Sequence, residues 1–111
     1  MKARYVQRGE SIDYTPATDV AAGDIVKLGK LVGVAKLDIK TGELGALALC
    51  GVYELVNNGI AIDIGDEVSV DPATGKTVAA GTAGAVKFGC AISAAAAGDA
   101  TVNVKLVQGL N

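Results

Sequence analysis

Ala100-Thr101-Val102-Asn103-Val104-Lys105-Leu106-Val107 is the stretch on which the fold turns. Val102, Val104 and Leu106 fall on one side of a period-two pattern, and Thr101, Asn103 and Lys105 fall on the other. Successive side chains of an extended chain point to opposite faces, so this alternation predicts a half-buried antiparallel strand. Working outward, short apolar runs recur at residues 67–70, 77–80 and 86–92, separated by Gly, Asp, Asn and Thr. Ile60, Ile62 and Ile64 alternate with Ala61 and Asp63 and read as a further strand. Residues 44–49 and 52–55 form an apolar region broken at Gly51, where a glycine in a strand pattern predicts a bulge or a close backbone approach. Residues 24–28 and 31–36 flank Gly29-Lys30, a Gly-X turn suited to a type II′ hairpin. Tyr5-Val6-Gln7 and Ser11-Ile12-Asp13-Tyr14 flank Arg8-Gly9-Glu10 and read as a first hairpin. Pro16 ends it, because proline has no N–H to donate to a ladder.

The pattern as a whole predicts an all-β protein: a single compact antiparallel β-barrel or sandwich of short hairpins over residues 1–111. Residues 1–8 are a candidate flexible or partner-bound arm, since termini are often ordered only by docking. Ser93-Ala94-Ala95-Ala96-Ala97 stops at Gly98 and supplies at most one short helical turn, because four alanines do not overcome helix nucleation.

Composition removes several function classes. Ten Lys and Arg stand against twelve Asp and Glu, for a net charge of −2, which argues against the basic face of a general nucleic-acid binder. Histidine is absent, so no His-based triad, general base or metal site exists. Tryptophan is absent and aromatics are 4%, which leaves little for base or sugar stacking. The apolar content is 50%, but much of it is alanine, and Phe88 is the sole phenylalanine. Small side chains remove little area from water at ~25 cal/mol per Å². Fifteen glycines raise the entropy lost on folding. The expectation is a thin core that gains stability by self-association. Cys50 and Cys90 lack the short paired spacing of a zinc site and read as small buried hydrophobes; a disulfide would need their strands to pair, which sequence leaves open. The first residues carry no apolar signal-like run, and no stretch approaches the ~20 apolar residues of a membrane span. The reading is a soluble chain made in a reducing cytosol, with no membrane partner.

Turn chemistry recurs. Gly23-Asp24, Gly65-Asp66 and Gly98-Asp99 each precede a strand, glycine allowing positive φ and aspartate bonding nearby backbone. Asp38-Ile39-Lys40-Thr41-Gly42-Glu43 resembles Asp71-Pro72-Ala73-Thr74-Gly75-Lys76, both read as turns with Gly in a left-handed position.

No complete active-site motif accompanies these turns. Gly75-Lys76-Thr77 echoes a phosphate-binding loop, whose glycines bring backbone N–H groups to phosphate. Val70 stands where its first glycine belongs, Pro72 removes a donor, and residues 78–84 are too glycine-rich for the helix that should follow. An ATP-dependent recombination protein built on Lys76 and Thr77 is therefore the disfavoured alternative. The twelve carboxylates are spread through turns and exposed faces, with no pair selected for hydrolysis and no calcium loop. Ser11, Ser69 and Ser93 lack a nucleophile elbow. A carbohydrate-binding module is disfavoured by the scarcity of aromatics. No catalytic, cofactor-binding or metal-ligating residue is assigned. Lys2, Arg4 and Arg8 form a basic cluster with Tyr5 and Val6 between them, read either as a solvated strand edge or as a contact with an acidic partner.

The order of motifs resembles the small capsid cement, or head decoration, proteins of tailed bacteriophages and prophages. The resemblance spans nearly the whole chain: Tyr5-Val6-Gln7-Arg8-Gly9-Glu10 and Pro16, Gly23-Asp24-Ile25-Val26, Leu31-Val32-Gly33-Val34-Ala35, Gly51-Val52-Tyr53-Glu54-Leu55 and Gly65-Asp66-Glu67-Val68. It ends in Gly89-Cys90-Ala91-Ile92 and the run from Ala95 to Leu106, its most specific block. Cys50 and Cys90 are not hallmarks of the family. Its members often carry a RecA/RadA recombinase-like label, which the degenerate Gly75-Lys76-Thr77 does not support. The resemblance implies a non-enzymatic all-β protein on the outside of a phage or prophage head, in the virion, typically a homotrimer over points where major capsid proteins meet. It implies no cofactor and no nucleic acid partner. Lys2, Arg4, Tyr5, Val6 and Arg8 are the candidate capsid-contact residues, able to add a strand to a capsid edge.

Overall fold

In the computed structural model, which describes residues 2–111, the alternation of residues 101–106 gives a strand with Val102, Val104 and Leu106 buried and Thr101, Asn103 and Lys105 exposed. It is the last of nine: β1 (Ser11–Tyr14), β2 (Ile25–Leu28), β3 (Leu31–Ala35), β4 (Gly45–Ala48), β5 (Val52–Val56), β6 (Glu67–Val70), β7 (Thr77–Val78), β8 (Val86–Ala91) and β9 (Thr101–Leu106). No helix is present among the described residues. The strands form two antiparallel sheets, ordered β1-β4-β3-β2 and β5-β9-β8-β6-β7. Ile25, Val32 and Val34 of the first sheet join Val70, Phe88, Val104 and Leu106 of the second in one core. A smaller cluster of Val20, Ala35, Ile39 and Leu47 holds the loops of the first half over the other face of the four-stranded sheet.

The chain is all-β as expected, but neither sheet closes into a barrel. The five-stranded sheet curls until its edges touch at one bridge, Val56 to Lys76, and the ladder goes no further. Buried side chains fasten that contact instead. Thr77 Oγ donates to Asn57 Oδ1 (2.9 Å) and accepts the Asn58 N–H (3.0 Å). Asn57 Nδ2 donates to the Ile60 and Ala96 carbonyls, at 2.8 and 3.2 Å.

Several expectations are corrected. Residues 5–7 do not form a hairpin with β1; β1 pairs with β4, placing Ile12 opposite Leu47. Leu47 is fully buried and Val6 is 82% exposed, so apolar burial favours the distant partner over the neighbour. Gly51 is not a bulge within one strand: at φ 118° it turns the chain out of the first sheet and into the second. Residues 60–64 form no ladder strand, because Ile64 is exposed and the Gly65-Asp66 turn follows at once; only Ile62 bridges, and its partner is Ala95. Those two residues exchange both backbone hydrogen bonds at 2.8 Å, so residues 93–97, allowed at most one helical turn, take none. Cys50 is exposed on the crossover, Cys90 is half-buried on β8, and both thiols are free. The Gly29-Lys30 turn holds: Gly29 has φ 59° and Lys30 does not have positive φ, as type II′ requires.

The two halves repeat one topology. The order β1-β4-β3-β2 is matched by β5-β9-β8-β6, with β7 added only in the second. Hydrogen bonds match as well. Val20 and Ile39 exchange backbone bonds as Ile62 and Ala95 do. Gly23 and Gly65 donate to Ala35 and Ala91, which donate back to Asp24 and Asp66. Asp24 and Asp66 each accept the N–H three residues earlier, from Ala21 (3.0 Å) and Asp63 (2.9 Å).

One feature ties the halves together, and a second shapes the five-stranded sheet. Gln108, just beyond β9, reaches into the first sheet where β4 has ended. Its Oε1 accepts the Val32 N–H (3.0 Å), and its Nε2 donates to the Val32 and Leu49 carbonyls (2.6 and 3.0 Å). The side-chain amide thus stands in for a missing strand residue. In the second sheet, Val68 faces Gly89 while Ser69 faces Lys87, leaving Phe88 as the extra residue of a bulge. The bulge lets Phe88 fill the core, fully buried, with Tyr53 edge-on at 6.0 Å. A Cβ on Gly89 would sit 2.8 Å from the Lys105 carbonyl carbon and 3.0 Å from the Val107 nitrogen, so β8 and β9 approach as they do only because residue 89 is glycine.

Gly89→Ala therefore costs ~3 kcal/mol or more in urea denaturation, since backbone on both strands must move. Gln108→Ala costs about 2 kcal/mol by the same measurement, because the buried Val32 and the half-buried Leu49 lose their part-buried bonds to the amide; a Gln108→Ala protein of unchanged stability removes that role.

Candidate interaction surface

Residues 2–9 carry no regular structure and are exposed throughout. They leave the body at β1, an edge strand. Tyr5 and Val6 are 77% and 82% exposed, apolar side chains spread in water on a segment without regular structure. Lys2, Arg4 and Arg8 surround them, and residues 1–9 hold no carboxylate. The body, by difference, carries seven Lys and Arg against twelve Asp and Glu. Only the root of the segment is tied down: Gln7 Nε2 donates to the Ser11 carbonyl at 3.4 Å, and Arg8 pairs with Glu10 at 3.0 Å. Both members of that pair are largely exposed, so it contributes little to stability. Lys2, Arg4, Tyr5, Val6 and Arg8 are thus strung along one exposed strip and are not gathered into a pocket.

The body adds a surface that the sequence reading missed. Leu37 and Leu44, 74% and 71% exposed, flank a cavity of about 180 Å³ lined by Ile39, Gly45 and Ala46 with Asp38 and Glu43 at its rim. Leu37 lies in a loop that no pattern marks, and Leu44, expected to open the apolar strand region 44–49, falls one residue before β4.

A second, shallower cavity of about 270 Å³ gathers Asp19, Asp24 and Asp38. Each carboxylate already has work in the backbone. Asp19 Oδ1 accepts the Thr41 N–H (2.8 Å) and hydroxyl (2.9 Å). Asp38 Oδ1 accepts the Ala22 N–H (2.8 Å), and Asp24 closes its own turn. The Thr41 amide and hydroxyl, with Lys40 beyond them, hold the Asp19 carboxyl below the usual aspartate range. Among the described residues no group of three His, Cys, Asp or Glu is placed to hold a metal ion. The phosphate-loop echo is a hairpin turn: Gly75 donates to the Asp71 carbonyl at 2.7 Å, with φ 72°. Thr77 is fully buried, its hydroxyl spent on Asn57 and Asn58, and the chain continues as a strand.

The surface, and not a cavity, is where this molecule offers unsatisfied chemistry. In a comparison with known families, the sequence model of the phage cement proteins matches residues 6–106. The chain belongs to the phage cement protein family. A search of curated proteins and one of solved structures returned no match. As a cement protein it is a capsid-associated structural protein of bacteriophages. No helix among the described residues is long and apolar enough to cross a membrane.

Because the folded Asp19 carboxyl titrates below its ordinary range, its contribution to the 19–41 tie is present above the unfolded pKa and is lost as pH falls through the lowered folded value. The Thr41 amide proton should therefore shift in acid with a midpoint below the ordinary aspartate range; the Asp19→Ala protein should show no such transition. A midpoint at the ordinary value would mean the bond does not persist in solution.

Proposed function

We propose that this protein binds the outside of a phage or prophage head and stabilises the shell, acting without catalysis as a single β unit over residues 1–111. The observation that carries the reading is the family match over residues 6–106. The physics of a pressurised shell supports it. A packaged genome pushes outward, so subunits must be clamped across their seams. A clamp needs rigidity and several simultaneous contacts, and weak contacts sum to firm retention through effective concentration. Two sheets around one core, locked by Gln108 and the Gly89 approach, supply the rigidity.

The contact is made by the arm. Lys2, Arg4 and Arg8 meet carboxylates of the major capsid protein, Tyr5 and Val6 enter its apolar surface, and the extended segment adds to a capsid strand edge. A homotrimer over a local threefold places three arms at once, and each equivalent contact multiplies residence. The protein is synthesised in the bacterial cytoplasm and ends on the capsid exterior of the virion; no nucleic acid, membrane or cofactor takes part.

Purified protein mixed with expanded heads that lack it should bind and should raise their resistance to heat and low salt. Deleting residues 1–8 should lower occupancy at least about tenfold, as expected for ~1.4 kcal/mol of lost contact, while leaving the thermal midpoint of the free protein unchanged. Unchanged occupancy dismisses the arm; failure of the intact protein to bind dismisses the capsid role.

A further inference from the structure

The repeated topology carries an asymmetry with a functional consequence. In the second half, β6 is flanked on both sides: β8 pairs with one edge and β7 with the other, through Ser69↔Val78 and Val70↔Thr77. In the first half, β2 is the equivalent of β6, with Asp24 matching Asp66 in sequence and in hydrogen bonds. There β3 pairs with one edge, and the other edge has no strand among the described residues. The reason lies in the connections: residues 71–85 between β6 and β8 are long enough to lay down β7, whereas Gly29-Lys30 between β2 and β3 is a two-residue turn.

We propose that the free edge of β2 is completed by an extended, carboxylate-bearing strand of the shell protein, laid antiparallel as β7 is laid on β6. In the β2–β3 hairpin, Leu28 and Val26 bond inward to β3, as does Asp24, whose carbonyl accepts the Ala35 N–H at 2.9 Å. The antiparallel alternation then turns the N–H and C=O of Ile25 and Lys27 outward, unpaired. Those groups are the anchor for the incoming backbone. Val26 and Leu28 are half-buried and Leu31 is 40% exposed, so an added strand also covers apolar surface.

Charge selects the occupant. Lys27 and Lys30 stand at this edge, and neither has a carboxylate partner among the described residues. A second copy's arm, with Lys2, Arg4 and Arg8 and no carboxylate, is repelled by them. A strand carrying Asp or Glu is drawn in. The same lysines keep β2 from pairing with β2 of another copy, the usual role of lysine on an open edge. The source of the strand rests on the shell-binding reading; its chemistry does not.

Labelled protein titrated with a short capped peptide of alternating valine and threonine, with a glutamate at each end, separates the two. Saturable shifts and slowed hydrogen exchange at the Ile25 and Lys27 amides are expected. The same peptide ended in lysines should bind about tenfold more weakly, and Lys27→Glu should reverse that order; Lys27 is exposed, so the substitution leaves the fold intact. No response to either peptide, a response at β5 instead, or no preference by charge overturns the inference, whatever the protein does with heads. On heads, protein that attaches while Ile25 and Lys27 exchange as fast as in the free state overturns the shell as source. Protein that fails to attach sinks the capsid reading, and the peptide result still decides the chemistry of the edge.

Discussion

Every backbone N–H and C=O removed from water needs a partner, and this chain creates a hard case when it leaves one sheet for another. At Gly51 the strand that flanks β3 has ended and the chain has turned away, yet Val32 remains fully buried. The Gln108 amide fills the gap with one acceptor and two donated bonds, drawn from the far end of the sequence. That arrangement fixes where β9 ends relative to β3, and so fixes how the two sheets share their core. The packing of Phe88 and Val104 against Val32 and Val34 follows from it.

The repeat explains how a glycine-rich, alanine-rich chain reaches a defined structure. Each half uses the same turn, closed by an aspartate carboxylate and a left-handed glycine, to start its second strand, and the same two-bond bridge to tie its loops. Local hydrogen bonding thus offsets a core poor in large side chains. In the second half β8 and β9 meet closely across Gly89, and the bulge admits Phe88 to the core that both sheets share. The first half is left with an open edge at β2 and with β1 as the root of an exposed arm.

That division suits a capsid-associated structural protein. The core shared by the two sheets holds shape, and the arm and the β2 edge are exposed main-chain and charged groups of the first half. The carboxylates of the Asp19, Asp24 and Asp38 cavity are consumed by backbone N–H groups, and Thr77 is consumed by Asn57 and Asn58. Thr77, which echoes a phosphate loop in sequence, and the three aspartates, which only the fold gathers, are alike the fabric of the fold.

The sequence by itself determined the all-β character, the buried face of β9, the Gly29-Lys30 hairpin and the Gly-Asp turns, because each depends on residues close in the chain. It also carried the family, through an order of short motifs that survives without knowledge of their contacts. Only the tertiary structure decided which strands pair. Residues 5–7 look like the natural partner of β1, yet β1 takes β4, since burial opposite Leu47 outweighs proximity. Ala95 looks helical, yet its backbone is claimed by Ile62. Leu37 and the open edge of β2 bear no local signature, and Leu44 reads as part of an apolar run yet stands exposed, because exposure is a property of what fails to cover a residue. Gln108 reads as an ordinary polar residue near a terminus; its role exists only because two distant strand ends come within hydrogen-bond reach of it.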